Sequence, residues 1–389
     1  MTPGARISAA IEILDQIATG SAAEQALTAW ARGSRFAGSK DRAAVRDHVY
    51  DVLRCKASLS VMAGGTSGRD LMRALALRDG WEIANLFNGM GHAPDPISEA
   101  EADTLLPVPD VWDQCDIPQW LWPMWESSLG ADAAGAGHVQ QVRAPLYLRI
   151  NQRKATVAQA AEALAEEDIT TVPHDTVAGC LKVLQNERRV KLSEPYTDGW
   201  VEVQDAASQA AMGRLEIAPD SSVLDYCAGG GGKALAVVAQ NTCTVVAHDI
   251  SEARMADIAP RAERAGVVIG TSSTADLSSH GLFDVVLCDS PCSGSGTWRR
   301  TPDAKWRLDQ DKLSKYTDLQ HEVLAKSVAL TKSGGTVVYM TCSVLDCEND
   351  AIIANALAES PNLVETDRMT LRPSEQTDGF FLCVLKNMA

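Results

Sequence analysis

The chain has 389 residues, a formal net charge of −16 and an isoelectric point near 4.9, with 46% hydrophobic and 22% charged residues. This composition is close to the globular average and excludes a disordered, collagenous or fibrous chain. The sequence has no apolar run of about 18 residues, which excludes a membrane-spanning helix. Ten cysteines with no Cys-x-x-Cys pair and no secretory signal predict free thiols in a reducing cytoplasm, and no metal site. The acidity at first argues against a nucleic-acid partner.

The N-terminal part has the pattern of packed helices. Ile7, Ile11 and Leu14 recur at three- and four-residue steps, and a second apolar face follows Asp41, a candidate helix N-cap. Charge is segregated in this part, because residues 32–78 carry a net +6. Residues 79–132 carry −11, with many Trp and Pro, and we interpret them as a Pro-broken connector that closes a helical domain.

The C-terminal half alternates strand and helix. A short α/β piece comes first, with a strand over 146–150 and a helix over 157–166. From about Gln204, short β-branched runs predict strands at 222–227, 243–248, 267–269, 283–288, 336–340 and 380–385. Helical stretches separate most of them, at 233–240, 251–265, 319–329 and 349–358. This alternation predicts a doubly wound sheet, whose ligands bind at the carboxyl ends of the strands.

A glycine loop follows the first of these strands and precedes a helix. It reads Cys227-Ala-Gly-Gly-Gly-Gly-Lys233, and it allows close backbone approach to a ligand at a helix N-terminus. A phosphate-binding P-loop would need Gly at position 227 and Ser or Thr at 234, so that interpretation fails. A flexible turn is the plainer alternative.

Two acids follow the next two strands. Asp249 stands where an acid typically hydrogen-bonds a ribose, although it could equally cap the helix that starts near Ser251. Asp276 could meet an adenine amino group, but taken alone it is more typical of a turn.

Two thiols come after two further strands. Asp289-Ser-Pro-Cys292 follows one strand, and Thr341-Cys-Ser343 follows another. The segment 297–307 interleaves Trp298 and Trp306 with basic residues, a pattern typical of RNA contacts but also of a surface loop with packed tryptophans. A lone buried thiol usually serves packing. Two thiols and an acid at one edge of a sheet form a far more specific arrangement.

These motifs resemble the Sun-type RNA cytosine-5 methyltransferases. The pair Asp289-Ser-Pro-Cys and Thr341-Cys-Ser carries the resemblance, which covers nearly the whole chain. Residues 41–54 are similar to the NusB-like RNA-binding domain of bacterial 16S ribosomal RNA members, and 148–151 and 203–205 match the lead-in to their catalytic domain. The glycine loop departs from the family pattern, Cys-Ala-Ala-Pro-Gly-Gly-Lys, and the loss of the Pro should loosen it.

The resemblance implies a division into three domains and a cofactor. We expect a NusB-like helical domain over 1–135, a small α/β RNA-binding subdomain over 136–205, and a Rossmann-like methyltransferase domain over 206–389. S-adenosylmethionine would lie over the glycine loop, that is Cys227, Ala228, Gly229, Gly230, Gly231, Gly232 and Lys233, with Asp249 at the ribose, Asp276 at the adenine and Asp289 beside it.

The resemblance also implies the chemistry. Cys342 would attack carbon 6 of a cytosine, Asp289 would hydrogen-bond the base, and Cys292 would help release the product. We expect 16S ribosomal RNA as the substrate, with Trp298, Arg299, Arg300 and Lys305 contacting it. The basic segments 32–78, 143–154 and 293–315 supply the positive charge that the mean charge hides.

Three alternatives stay open. A DNA cytosine-5 methyltransferase would use Cys292 as its nucleophile. A transfer-RNA cytosine-5 methyltransferase would share this catalytic domain. A non-catalytic RNA-binding ribosome-assembly factor would keep the fold without the reaction. We expect a monomer in the cytoplasm with no membrane partner.

Overall fold

The structure is a computed structural model, and it describes residues 1–99, 101 and 105–389. The chain forms two compact units. Unit 1 comprises Met1–Arg143 together with Trp298–Leu308, and unit 2 comprises Ala144–Thr297 together with Asp309–Ala389. Positions 100 and 102–104 of the predicted connector lie outside the described residues. Across the described ranges, no helix is both long and apolar enough to cross a membrane.

The helices are α1 (Pro3–Ala18), α2 (Ala23–Gly33), α3 (Ser39–Arg54), α4 (Lys56–Ala63), α5 (Gly68–Arg78), α6 (Ile83–Leu86), α7 (Val111–Gln114), α8 (Trp122–Leu129), α9 (Ala133–Gln140), α10 (Val157–Glu166), α11 (Glu194–Thr197), α12 (Ala206–Gly213), α13 (Gly232–Gln240), α14 (Ile258–Ala265), α15 (Pro302–Arg307), α16 (Gln310–Ala329) and α17 (Asp350–Glu359). The strands are β1 (Leu146–Ile150), β2 (Thr171–Pro173), β3 (Cys180–Val183), β4 (Val201–Val203), β5 (Ser222–Asp225), β6 (Thr244–His248), β7 (Gly270–Ser272), β8 (Phe283–Asp289), β9 (Thr331–Thr341), β10 (Leu363–Leu371) and β11 (Phe380–Asn387).

Unit 1 is helical, as the apolar spacing predicts. The inward faces of α1, α3 and α5 bury Ile7, Val45, Val49 and Leu75 in one cluster. Asp41 is not the N-cap of α3, and that expectation is wrong. The helix begins at Ser39, so Asp41 is the third helical residue, and its carboxylate accepts a hydrogen bond from the Gly38 backbone N–H at 3.3 Å.

Unit 2 contains two sheets. A four-stranded antiparallel sheet has the order β2-β3-β1-β4 and packs α10 against one face. The predicted strand 146–150 and helix 157–166 are both confirmed. The division of this part from the rest of unit 2 at residue 205 stays a prediction.

The seven-stranded sheet of unit 2 has the order β10-β11-β9-β8-β5-β6-β7. Strands β9, β8, β5, β6 and β7 run parallel, and the hairpin of β10 and β11 continues the sheet antiparallel beyond β9. The chain runs outward from β5 through β6 to β7 and then returns to β8 on the other side of β5. This reversal is the switch point at which doubly wound sheets bind ligands.

The predicted α/β fold with a helical N-terminal region is confirmed, with one strand misplaced. The β-branched run 267–269 was expected to be a strand, but β7 occupies Gly270–Ser272. The reason is the left-handed Gly266 that ends α14, after which Val267 and Ile269 pack as a partly buried link. The helix expected over 251–265 begins only at Ile258, after a 3-10 turn over Glu252–Met255.

Candidate active site

The carboxyl ends of four parallel strands converge on one edge of the large sheet. Asp225 is the last residue of β5, and Asp289 is the last residue of β8. Asp249 follows β6, and Cys342 follows β9. Register fixes this convergence, because Asp225 pairs with Leu287 and Asp289 pairs with Met340.

The glycine loop joins β5 to α13 in a backbone form that requires glycine. Gly229 has φ of +50° and Gly231 has φ of +76°, both in the left-handed region. A Cβ on Gly231 would lie 2.9 Å from a side-chain carbon of Ile258. The four glycines therefore form a fixed turn, which exposes backbone at the start of α13.

Two buried carboxylates fasten this loop. Asp225 accepts a hydrogen bond from the Ala234 N–H at 3.0 Å, and Asp249 accepts one from the Gly229 N–H at 3.0 Å. The loop is thus held to β5 at one end and to β6 at the other. These bonds supply rigidity that the missing Pro would otherwise give.

Asp225 is a site residue that sequence reasoning missed. It is 1% exposed, and within the described residues its Oδ1 atom has no hydrogen-bond partner. Burial, followed by the nearby Asp289 carboxylate, raises the pKa of Asp225 to about 7. The available sequence signal was an acid at the end of an otherwise apolar strand. Burying a carboxylate there costs free energy, so the residue is expected to have a function.

Asp249 is buried and makes local contacts in the turn after β6, and its expected contact with a ribose stays a prediction. Its Oδ1 accepts from the Ser251 N–H at 3.0 Å, and its Oδ2 pairs with Arg254 at 3.0 Å. Ile250, directly after it, is 89% exposed. An apolar side chain beside a carboxylate suits one face of a nucleoside, and sequence reasoning did not single it out.

Asp276 occupies an exposed turn after β7. It is exposed, and its carboxylate accepts a hydrogen bond from the Ser273 hydroxyl at 2.7 Å at the start of the 3-10 turn Leu277–His280. The structure thus gives it the turn role that was the alternative. Its proposed contact with an adenine stays a prediction.

The two thiols of the sequence motifs meet. The Sγ atoms of Cys292 and Cys342 are 3.4 Å apart, within hydrogen-bond distance for sulfur. The two segments that carry them are joined, because the Gly296 N–H donates to the Cys342 carbonyl at 2.8 Å. The motif after β8 and the motif after β9 therefore form one site.

The surroundings of the pair favour ionisation of Cys342. The hydrogen bond from Cys292 lowers the pKa of Cys342, and the Thr297 hydroxyl and the Lys233 ammonium act in the same direction against burial and Asp289. The same hydrogen bond and burial raise the pKa of Cys292. These directions favour ionisation of Cys342 before Cys292.

Lys233 and Asp289 form an ion pair next to the thiols. The Lys233 Nζ lies 2.6 Å from Asp289 Oδ2 and 5.3 Å from the centre of the Phe380 ring. Burial acts to lower the pKa of Lys233, but the Asp289 carboxylate outweighs it and raises the pKa overall. The site therefore keeps a fixed positive charge beside Cys342.

Glu348 joins both thiol segments and is a second residue that sequence reasoning missed. It is fully buried, and it accepts hydrogen bonds from the Ser293 N–H at 2.8 Å, the Ser293 hydroxyl at 2.5 Å, the Ser343 hydroxyl at 2.5 Å and the Gln320 amide at 3.1 Å. Ser293 follows Cys292, and Ser343 follows Cys342. One carboxylate thus positions both thiol-bearing segments. No sequence signal identified it, because it belongs to no motif used here.

The predicted RNA contacts of segment 298–307 need correction. Trp298, Arg299 and Lys305 are each at most 1% exposed. Trp298 stacks on Trp125 at 5.9 Å between ring centres, and Lys305 donates to the Arg54 carbonyl at 3.3 Å. These side chains belong to the interior of unit 1, so they cannot stack on bases or reach phosphates. Arg300 is half-buried in the same segment.

Comparison with known proteins identifies the relatives of this chain. Residues 212–386 match the family model described as 16S rRNA methyltransferase RsmB/F, and residues 117–191 match its ferredoxin-like domain. The chain belongs to the RsmB/F methyltransferase family. The expected resemblance is thereby confirmed.

Relatives within this family are similar over most of the chain. The ribosomal RNA small subunit methyltransferase B of Sodalis glossinidius is 34% identical over 280 residues, which are 68% of this chain and 64% of that protein. The probable ribosomal RNA small subunit methyltransferase B of Bacillus subtilis is 29% identical over 307 residues, 72% of this chain and 68% of that protein. The chain therefore spans about two thirds of these relatives.

Solved structures show the same fold. The crystal structure of PH0851 has a TM-score of 0.79 at 22% identity, over 99% of each chain. NSun6 from Pyrococcus horikoshii with SFG has a TM-score of 0.61 at 15% identity, over 70% of this chain and 98% of that one. Identities at this level support the fold alone.

The donors at the sheet edge fit S-adenosylmethionine, the cofactor that the sequence resemblance implies. S-adenosylmethionine carries a positive sulfonium and ribose hydroxyls, and the edge offers the carboxylates of Asp225 and Asp249, backbone amides of the glycine loop, and the exposed Ile250 side chain. The unpartnered Oδ1 of Asp225 is a buried acceptor, of the kind that a bound cation or hydroxyl satisfies.

Proposed function

We propose that this protein methylates carbon 5 of a cytosine in 16S ribosomal RNA. The observation that carries the proposal is the thiol pair, with Cys342 and Cys292 3.4 Å apart beside the Lys233–Asp289 ion pair. The names of the relatives support ribosomal RNA of the small subunit as the substrate.

The cofactor would be S-adenosylmethionine, which supplies an electrophilic methyl group when bound. Asp249 and the glycine loop would hold it, with Asp225 beneath the loop as a buried acceptor. Asp276 would contact the adenine if its exposed turn takes part.

Cys342 would start the reaction as a nucleophile. Cytosine carbon 5 is a poor nucleophile until a thiolate adds to carbon 6, which moves an electron pair toward carbon 5. The hydrogen bond from Cys292 and the charge of Lys233 favour the thiolate that this step needs. Carbon 5 of the adduct can then take up the methyl group.

Asp289 and Cys292 would serve the later steps. Asp289 Oδ2 is held by Lys233, which leaves the rest of the carboxylate to accept a hydrogen bond from the cytosine amino group. In the last step a base takes the carbon 5 proton, the electron pair of that C–H bond forms the carbon 5–carbon 6 double bond, and the Cys342 thiolate leaves. Cys292 would be this base in its thiolate form, because bonding of Cys342 to carbon 6 removes the neighbouring charge that raises the pKa of Cys292. A base must leave its stack to reach this edge, which favours a looped or flipped cytosine.

Separate replacement of the two thiols tests the assignment. Cys342→Ala should abolish both methylation and the covalent RNA adduct, whereas Cys292→Ala should retain the adduct and accumulate it on denaturing gels. Buried Cys288, at the end of the same strand as Asp289, offers a matched Cys288→Ala control. An adduct that is lost with Cys292→Ala and kept with Cys342→Ala would instead support a DNA-type mechanism.

Bisulfite sequencing tests the substrate. Ribosomal and transfer RNA from cells with and without this gene should differ at a 16S cytosine. A lost signal confined to transfer RNA would overturn the 16S assignment. No methyl transfer by the purified protein to unmodified 16S RNA would favour the assembly-factor alternative.

A further inference from the structure

A groove on unit 1 concentrates positive charge away from the thiol site. It lies where the end of α2 and the start of α3 approach each other, and it has a volume of about 380 Å³. We call it the arginine groove, because its lining includes Trp30 and four arginines, Arg32, Arg35, Arg42 and Arg46. All four arginines are exposed.

Three of these charges are uncompensated. Arg46 is paired with Glu24, to which it donates two hydrogen bonds. Arg32, Arg35 and Arg42 show no acidic partner in the ranges that the structure describes. A cluster of like charges is unfavourable unless an anion neutralises it.

The acid closest in sequence does not neutralise the groove. The Asp41 carboxylate pairs with the N-terminal ammonium of Met1 at 3.1 Å and with Arg6 at 2.8 Å. Its charge is thus already balanced by two cations, the Met1 ammonium and Arg6 on α1. The groove keeps an excess of three positive charges.

An exposed aromatic residue follows the groove residue Arg35 in the chain. Phe36, next to Arg35 in the loop between α2 and α3, is 76% exposed. An exposed Phe among cations is the composition with which proteins bind unpaired nucleotides, because the ring stacks on a base while the cations meet phosphates. Segment 298–307 has a similar composition, but its tryptophan Trp298 is buried.

We propose that the arginine groove binds RNA. Arg32, Arg35 and Arg42 contact backbone phosphates, and Phe36 stacks on an unpaired base. This inference rests on the proposed function, since it names the surface by which an RNA methyltransferase would hold its substrate outside the reacting cytosine.

Salt-dependent binding of unmodified, in vitro transcribed 16S ribosomal RNA tests the groove. The triple variant Arg32→Gln, Arg35→Gln, Arg42→Gln should bind roughly 50-fold more weakly at 0.15 M salt. It should also lose about 2 from the slope of log affinity against log salt, because three phosphate contacts release fewer counterions. Phe36→Ala should weaken binding roughly 5- to 100-fold with no change in that slope.

A matched triple variant controls for charge. Arg214→Gln, Lys326→Gln and Lys332→Gln remove three positive charges from solvent-accessible side chains that are each paired with an acid. This control should bind with nearly wild-type affinity and slope. Phe36→Ala removes an exposed side chain and leaves every charge in place. It therefore keeps the test valid even if the triple variant unfolds.

Affinity and slope equal to wild type in both groove variants would overturn the proposal. A methylation assay on the same samples separates this failure from failure of the proposed function. If the wild-type protein methylates RNA and the groove variants bind RNA normally, the groove proposal is wrong and the proposed function stands. If the wild-type protein transfers no methyl group and the groove variants lose RNA binding, the groove proposal is supported and the proposed reaction is wrong.

Discussion

Residues 289–297 and residues 298–308 follow one another in the chain, yet they belong to different units. The first segment ends β8 and belongs to unit 2, where Cys292 and Ser293 are held against the segment after β9. The second segment belongs to unit 1, where Trp298 stacks in the interior. The sequence alone predicts a functional role for both segments, because nothing in it marks a boundary between them.

The difference shows what composition alone leaves undecided. Alternating tryptophans and cations suit an RNA surface, but long cationic side chains also bury their stems beside aromatic rings when their polar ends find acceptors. Lys305 finds the Arg54 carbonyl, and the Arg54 side chain in turn donates to the Arg299 carbonyl at 2.8 Å. The first segment should therefore govern chemistry, and the second should govern the stability of unit 1.

The strongest test of this contrast is Trp298→Ala. Removing a buried, stacked indole should lower the free energy of unfolding of unit 1 by about 3–5 kcal/mol. Urea unfolding followed by tryptophan fluorescence measures it, because every tryptophan except Trp200 lies in unit 1. A surface role would instead leave stability unchanged and weaken RNA binding.

Lys305 gives the contrast a pH dependence. Burial is the main cause that lowers the pKa of Lys305 to about 8, whereas an unfolded lysine titrates near 10.4. The unfolded chain therefore binds more protons between these values, and stability rises with pH in that window. Below about pH 8 Lys305 is charged in the folded protein as well, so burial of its ammonium lowers the free energy of unfolding by its full amount.

Lys305→Met should remove this dependence. The difference in unfolding free energy between variant and wild type should change by roughly 3 kcal/mol between pH 7.5 and 10.5, in the direction that favours the wild type at high pH. Fluorescence-monitored urea curves at three pH values would show it. Parallel pH profiles for both proteins would mean that Lys305 is accessible to water.

In the first segment, Glu348→Gln should affect the reaction. The amide keeps the size of the carboxylate but loses one acceptor and the negative charge that receives the four N–H and O–H donors, so both thiol segments should shift. We expect the single-turnover methylation rate to fall about 10- to 100-fold, with the fluorescence-detected stability of unit 1 unchanged.

Glu322→Gln is a suitable control, since Glu322 is exposed and forms a surface ion pair with Lys326. It should methylate at the wild-type rate. Equal loss of activity in both variants would show that the Glu348 network does not position the thiols.

The smallest effect is expected at Arg307, in the second segment. Its side chain is half-exposed and pairs with Asp303 at 3.0 Å. Its partner carboxylate is buried but also accepts a hydrogen bond from the Ala23 N–H, so Arg307→Ala should lower the stability of unit 1 by only about 1 kcal/mol. A loss near that of Trp298→Ala would mean that the whole segment, rather than its buried side chains, supports the unit.

Much of the fold was predictable because local patterns and tertiary structure agree. Strand 146–150 and helix 157–166 match the prediction residue for residue. Strand β10 was missed, because its alternation of apolar and charged residues at the edge of the sheet lacks a continuous β-branched run. Strand β7 was misplaced for a related reason, since it consists of Gly270, Thr271 and Ser272.

The sequence by itself determined the class of fold, the sheet edge that carries the site, and the residue types that meet there, because periodicity and strand ends are local properties. Only the tertiary structure decided which residues complete that site. Asp225 and Glu348 gain their positions from packing and from hydrogen bonds across the chain. The tertiary structure also decided which cations are accessible. Lys305 is buried and Arg35 is exposed because different groups pack against each of them.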